Sequence, residues 1–234
     1  MSTSAKHSIA AIVPAAGVGK RMQSDTPKQY LTIGGKCVIE HTLEKLLQVA
    51  AIEKIVVVLS KHDDVFETLA IAKHPRISTE IGGAERVDSV YAGLTSLNDE
   101  YQWALVHDAA RPCVEPGDIK ALIATCTEST EGGLLAYPAK DTIKRANADG
   151  NVETTVSREL IWHALTPQMY KVHDLVKAID FSLAQQFTIT DESSAIEAVN
   201  KPSHLVVGSS LNIKITSPED LHLAEMILQQ QVNT

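Results

Sequence analysis

The chain has 234 residues, 44% apolar and 4% aromatic, enough for one mainly aliphatic core of domain size. Lys and Arg number 21 against 29 Asp and Glu, a formal net charge of −8. That balance excludes a general nucleic-acid or acidic-membrane binder, whose affinity comes from neutralising phosphates, but leaves room for a small anionic substrate on a local cation cluster.

The N-terminal MSTSAKHS has no long apolar segment of the kind a signal peptide carries, and no apolar run reaches the length of a membrane span. Cys37, Cys113 and Cys126 are odd in number, far apart and without a CxxC pair. They form neither a disulfide framework nor a cysteine zinc site, and they suit a reducing cytoplasm. A cytoplasmic protein is the expectation.

In chain order, Ile9 to Val13 is a continuous apolar run, which predicts a strand buried on both faces. It ends at Pro14 and opens into the small-residue loop Ala15, Ala16, Gly17, Val18, Gly19, followed by Lys20, Arg21 and Lys28. Tyr30 to Ile33 reads as a short extended piece and Gly34-Gly35 as a tight turn. Helical spacing predicts a helix over Val38 to Val49. Lys54 to Ser60 reads as a second buried strand. Asp63 and Asp64 are placed to cap a helix running to about Lys73, and Arg76 to Glu80 is a weaker strand. The loop Gly82 to Arg86 leads into a helix carrying Val87, Val90, Leu94 and Leu97.

Tyr101 to His107 is a further buried strand, ending in Asp108-Ala109-Ala110-Arg111-Pro112. Pro116 to Cys126 reads as a helix with proline at its start, and Gly132 to Tyr137 as a strand. Pro138 to Val156 breaks the alternation. Two extended arms flank a polar tip, which predicts a hairpin, either a dimerisation arm or an ordinary surface feature. Trp162 to Thr166, then Pro167-Gln168, is a short extended segment. Lys171 to Gln185 is a helix. Asp191 and Glu192 most simply cap a helix from Ser193 to Asn200. Leu205 to Val207 and Ile213 to Ile215 read as strands, and Pro218 to Leu228 as the last helix. These elements make one α/β domain of Rossmann-like type over residues 1–234, with a mostly parallel central sheet and a protruding β-hairpin arm.

The loop at Ala15–Gly19 lacks both the GK[ST] ending of a P-loop and the GxGxxG dinucleotide spacing. Its small residues still allow backbone N–H groups to converge on phosphate oxygens, with Arg21 and Lys28 to neutralise charge. The alternative is a plain turn with solvated cations. Asp108 follows an apolar strand at the edge where α/β folds bind ligands, a position suited to holding Mg²⁺ together with substrate phosphates. Arg111 beside it fits a loop-fixing role, and His107 fits packed core. Lys214 points opposite to Ile213 and Ile215. It and Arg158 are substrate contacts or surface cations, depending on which face they occupy.

The motifs PAAGVGKRM (14–22), PKQYL (27–31), GGAERVDSV (82–90), HDAARP (107–112), DTIKR (141–145), WHALTPQ (162–168), ITDE (189–192) and NIKIT (212–216) run in order along nearly the whole chain. Together they resemble the 2-C-methyl-D-erythritol 4-phosphate cytidylyltransferase family. The resemblance implies that CTP phosphates lie on Pro14 and Ala15 to Gly19, with Arg21 and Lys28 stabilising the transition state. It implies that Gly82, Gly83, Arg86 and Ser89 read the cytosine end, and that Asp108 binds Mg²⁺ beside the ribose with Ala109 and Ala110. The acceptor would be held by Asp108, Thr142, Arg158, Thr166 and Lys214. The 138–156 arm would cross to a second subunit in a homodimer. A cytidylyltransferase for ribitol 5-phosphate shares these motifs and is the nearest rival. A CTP-binding regulatory module without turnover is another, and the missing GxGxxG disfavours a dehydrogenase.

Overall fold

The computed structural model describes residues 7–17 and 26–232. The strand β1 (Ile9–Pro14) is followed by a 3₁₀ turn at Lys28–Tyr30 and the small ribbon β2 (Thr32–Ile33) and β3 (Lys36–Cys37). Gly34 and Gly35 make the ribbon's turn with φ of +56° and +83°, a conformation that side chains with a Cβ resist. Next come α1 (Val38–Leu47), β4 (Ile52–Leu59), β5 (Ile77–Ile81), α2 (Arg86–Thr95), β6 (Trp103–Val106), α3 (Pro116–Ser129) and β7 (Gly133–Pro138). The arm is β8 (Ile143–Ala146) and β9 (Val152–Val156). The chain then runs through β10 (Trp162–Lys171), α4 (Val172–Ala184), α5 (Glu192–Ala198), β11 (His204–Val207) and α6 (Pro218–Val232).

Among the described residues seven strands form the central sheet, in the order β11-β7-β10-β6-β1-β4-β5. Pairings within β6-β1-β4-β5 and between β7 and β11 are parallel, whereas β10 runs antiparallel to both its neighbours. Side chains alternate across the sheet, as the two-residue period requires. Ile9, Ala11, Val13, Ile55, Val57, Trp103 and Leu105 pack on one face with Leu43 and Leu46 of α1 and Leu122 of α3. Ile12, Val56, Val58, Ala104 and Val106 pack on the other with Leu94 of α2, Leu175 of α4 and Ile196 of α5. A continuous apolar run in β1 is therefore what a doubly covered strand demands. The chain leaves β1 towards β4 and β5 and then returns to its other side at β6. That reversal opens a crevice beyond the carboxyl ends of β1 and β6, where ligands of such sheets bind.

The structure corrects several expectations. Residues 63–73 do not form one α-helix: two 3₁₀ turns, Phe66–Thr68 and Ala70–Lys73, are separated by extended Leu69. Asp63 spends its side chain on a local turn, accepting from the backbone N–H of Val65 and Phe66, while Tyr30 Oη donates to its other oxygen. The segment Ile213–Ile215 is no strand. Its neighbouring carbonyls go to cations instead of a ladder, with Asn212 O accepting from Arg111 Nη1 and Ile215 O from Lys28 Nζ. The short pieces expected at Trp162–Gln168 are one ten-residue strand, irregular between Ala164 and Gln168 around a cis Thr166–Pro167 bond. Lys28–Tyr30 is a 3₁₀ turn, so the extended piece shrinks to Thr32–Ile33. The helices begun at Pro116 and Pro218 reach Ser129 and Val232. The hairpin arm is present, exposed, and paired only with itself among the described residues. Among the described residues no helix is long and apolar enough to cross a membrane.

Candidate active site

The crevice holds a hollow lined by Pro14, Ala15, Ala16, Gly17, Lys28, Gly83, Arg86, Ser89, Asp108, Ala109, Ala110 and Lys214, together with Gln29, Ala84 and Glu85. Most of these segments meet here because they follow the carboxyl ends of the parallel strands β1, β5 and β6, and Lys214 joins them from the segment before α6. Val18, Gly19 and Arg21 lie outside the described residues. Gly82 does not line the hollow but packs against two residues that do: a Cβ there would come 2.5 Å from Ser89 Oγ and 3.0 Å from Ala16 Cβ. The loop after β5 therefore reaches the loop after β1 only because no side chain stands between them.

Lys28 is delivered by a turn anchored on both sides. Gln29, buried, donates through Nε2 to Ala15 O at 2.7 Å, and Tyr30 Oη donates to Asp63 Oδ2 at 2.6 Å. Lys28 Nζ itself donates to Ile215 O at 3.1 Å. The sequence marked Lys28 by its charge; the anchoring role of Gln29 carried no such signal.

Asp108 is the hub. Its Oδ1 accepts from Arg86 Nε at 3.0 Å, and its Oδ2 lies 2.9 Å from Lys214 Nζ and 3.4 Å from Arg111 Nε. Burial would raise its pKa, but Arg86, Lys214 and Arg111 outweigh that and hold the carboxyl well below the usual range. Arg111 also donates from Nη1 to Asn212 O at 2.7 Å, so it fixes the loop as expected. Burial works against the Arg86 charge, yet Glu192 and then Asp108 more than compensate, and its pKa lies above the ordinary value.

Behind Asp108 runs a relay of neutral groups. The Asp108 N–H donates to Thr166 Oγ1 at 3.1 Å, Thr166 Oγ1 lies 3.0 Å from His107 Nδ1, and His107 Nε2 lies 3.2 Å from Arg111 O. Since a carbonyl can only accept, Nε2 carries the proton and the Thr166 hydroxyl donates to Nδ1. Burial pushes the His107 pKa down to about 4 from 6.5. His107 is core, as expected, and the Thr166 hydroxyl already serves Asp108 and His107.

A second hollow adjoins the first across Arg86, Asp108 and Lys214, and is lined on its far side by Arg111, Leu165, Thr166, Gln168, Thr190 and Asp191. Thr142 and Arg158 line neither hollow. Both are exposed on the arm and its base, where Arg158 Nη1 donates to Lys140 O. Within one chain these two are not brought to Asp108.

Glu192 is not a helix cap. Asp191 performs that task, accepting from the Ser194 N–H at 2.9 Å. Glu192 is buried and takes Arg86 Nη1 at 2.7 Å and Nη2 at 3.2 Å. Its partner is 106 residues away, and nothing in the local sequence points to it. Among the described residues no three His, Cys, Asp or Glu gather as a metal site.

The model of the IspD family, 2-C-methyl-D-erythritol 4-phosphate cytidylyltransferase, matches residues 9–230. The chain is 52% identical over 223 residues to the protein of that name from Vibrio parahaemolyticus serotype O3:K6 (strain RIMD 2210633), covering 94% of this chain and 95% of the relative. It is 52% identical over 221 residues to the one from Tolumonas auensis, covering 94% and 96%. Among solved structures, 4-diphosphocytidyl-2C-methyl-D-erythritol synthase from Anaerococcus prevotii DSM 20548 superposes with a TM-score of 0.83 at 29% identity, over 96% of this chain and 99% of that one. The Francisella tularensis 2-C-methyl-D-erythritol 4-phosphate cytidylyltransferase gives 0.81 at 34% identity, over 94% and 99%.

Proposed function

The chain belongs to the 2-C-methyl-D-erythritol 4-phosphate cytidylyltransferase family, and on that premise we propose that its two adjoining hollows take CTP and methylerythritol phosphate. The reaction is cytidylyl transfer from CTP to the acceptor with release of pyrophosphate, a step in isoprenoid precursor synthesis. The observation that carries the assignment of sites is the shared wall. Arg86, Asp108 and Lys214 line both hollows, so a nucleotide in one and a phosphate ester in the other would meet there.

CTP occupies the first hollow, its phosphates against Ala15 to Gly17, its base end towards Gly82, Gly83, Arg86 and Ser89. An acceptor phosphate oxygen attacks the α-phosphorus, forming one P–O bond as the bond to pyrophosphate breaks. A phosphate monoester is already largely ionised near neutral pH, so no side chain has to remove a proton. That agrees with a site whose buried histidine is neutral and committed to Thr166 and Arg111. Lys28 and Arg21 neutralise charge at the reacting phosphates, Lys214 binds the acceptor phosphate, and catalysis is positioning plus charge stabilisation.

Asp108 would hold a divalent cation such as Mg²⁺, which when bound would offset phosphate charge. A lone carboxylate with both oxygens engaged by cations fits an ion that arrives with the nucleotide phosphates, not one the protein holds alone. Thr142 and Arg158 contribute to an acceptor site across a homodimer, carried there by the β8–β9 arm. A cytoplasmic setting agrees with three free cysteines, two of them buried with thiols pushed up to about 12.

The test is pyrophosphate release from CTP with methylerythritol phosphate against ribitol 5-phosphate. Much faster release with the former supports this acceptor; equal rates exclude it as the specific substrate.

A further inference from the structure

Glu192 is fixed in place more firmly than a helix start requires. Gln168, buried in β10, donates from Nε2 to Asp191 Oδ2 at 2.9 Å and accepts at Oε1 from the Ser193 N–H at 2.8 Å. The residues on both sides of Glu192 are thus tied to the central sheet by one glutamine. Between them the Glu192 carboxylate presents two oxygens to two guanidinium nitrogens of Arg86, the paired geometry that best fixes a guanidinium's plane. Arg86 Nε donates to Asp108. Of the five guanidinium N–H groups, three are so engaged among the described residues, and the side chain lines both hollows.

Three cations, Arg86, Arg111 and Lys214, surround two anions, Asp108 and Glu192. Without the Glu192 charge, Asp108 alone would answer all three, and Arg86 would be drawn onto it and out of the wall between the hollows.

We infer that Glu192 is a positioning residue for the transfer reaction: its carboxylate sets the plane of Arg86 so that the guanidinium borders both the nucleotide and the acceptor compartments. This rests on the reaction assigned above. A glutamate that served only folding would lower stability and leave the kinetics of the folded protein unchanged. A positioning glutamate acts through Arg86 and its effect vanishes when Arg86 is gone.

The experiment is a double-mutant cycle of wild type, Glu192→Gln, Arg86→Gln and the double variant in the full chain. It is read on kcat/KM for both substrates and, in parallel, on the CTP Kd by calorimetry, with thermal melts to fix the folded fraction. Glutamine keeps the size of Glu192 but turns an amide N–H₂ towards the guanidinium. Glu192→Gln is expected to lower kcat/KM on the order of 30-fold, the scale of a charged hydrogen-bonded pair. In the Arg86→Gln background the same change should cost less than about threefold, since its target is absent. Glu192→Asp, which keeps the charge, should recover part of the loss. If Arg86→Gln does not fold because Glu192 is stranded, Arg86→Lys replaces it in the cycle. A folded Glu192→Gln enzyme with wild-type constants, or an equal loss in both backgrounds, overturns the inference. Wild-type protein that turns over neither acceptor overturns the reaction assignment instead, and the CTP Kd cycle then still decides the coupling.

Discussion

Lys214 Nζ lies 2.9 Å from Asp108 Oδ2, reaching across from the segment before α6 to the loop after β6. The cation that closes the second hollow is thus held by the carboxylate that borders the first. About a third of the Lys214 side chain is exposed, so it is free to turn towards an acceptor phosphate without unpacking the core. Lys214→Gln should raise the acceptor KM and cut kcat/KM for the acceptor about 10- to 100-fold, the worth of a charged hydrogen bond. The nucleotide KM should stay within a few-fold. Steady-state kinetics with each substrate varied separates the two effects, and an unchanged acceptor KM would place Lys214 outside the acceptor site.

Lys28 sits on a turn braced by Gln29 and Tyr30, so removing its side chain should leave the turn standing. Lys28→Ala is expected to lower kcat on the order of 10²- to 10³-fold, as loss of a preorganised charge donor does, while CTP affinity falls far less. Single-turnover kinetics beside equilibrium binding checks this. Equal losses in both would make Lys28 a binding group only.

A Cβ on Gly17 would meet nothing within 4 Å among the described residues, and the backbone there has no positive φ. Gly17→Ala should therefore melt at the wild-type temperature or slightly above it, since alanine narrows the unfolded ensemble. Its CTP affinity should fall, because the methyl would occupy space the phosphates need. A melt combined with calorimetry checks both; unchanged affinity would move the phosphates away from this loop.

His107 gives the fold an acid sensitivity with a definite sign. Its folded-state pKa of about 4 lies below the ordinary 6.5, so the unfolded chain takes up the proton first as pH falls. Stability from this group is complete above about pH 6.5, declines between 6.5 and 4, and amounts to about 3 kcal/mol in all. Asp108 has a depressed pKa, so its contribution is complete above 3.8 and is lost only below that. Urea melts of wild type and His107→Gln from pH 7 to 4.5 should converge as pH falls. Parallel curves would mean that His107 is not buried neutral.

What the sequence disclosed follows from where its signals are local. Continuous apolar runs disclosed β1, β4 and β6 because burial on both faces removes alternation, and Asp108 stood out as a carboxylate just past such a run. Lys214 was visible as a cation between Ile213 and Ile215, and Arg111 as a cation beside Asp108. The helix expected over 63–73 failed although Asp63 accepts from the Val65 and Phe66 N–H groups as a cap would, because extended Leu69 breaks the segment into two 3₁₀ turns. The strand expected at Ile213–Ile215 failed because Asn212 and Ile215 give their carbonyls to Arg111 and Lys28. Glu192 reads as a cap with Asp191, and neither its pairing with Arg86 nor the bracing by Gln168 was legible, for the same reason: their partners lie on other elements. Thr142 belongs to the expected site only by resemblance, Arg158 is an ambiguous cation that the resemblance assigns to it, and one chain does not bring either to the hollows.

The most direct test of the central claim is the rate of pyrophosphate release from CTP with two acceptors offered separately at equal concentration. Methylerythritol phosphate should be turned over at least ~100-fold faster than ribitol 5-phosphate, the discrimination expected when buried polar groups are left unpaired by the wrong acceptor. Equal rates, or release only with ribitol 5-phosphate, would contradict it.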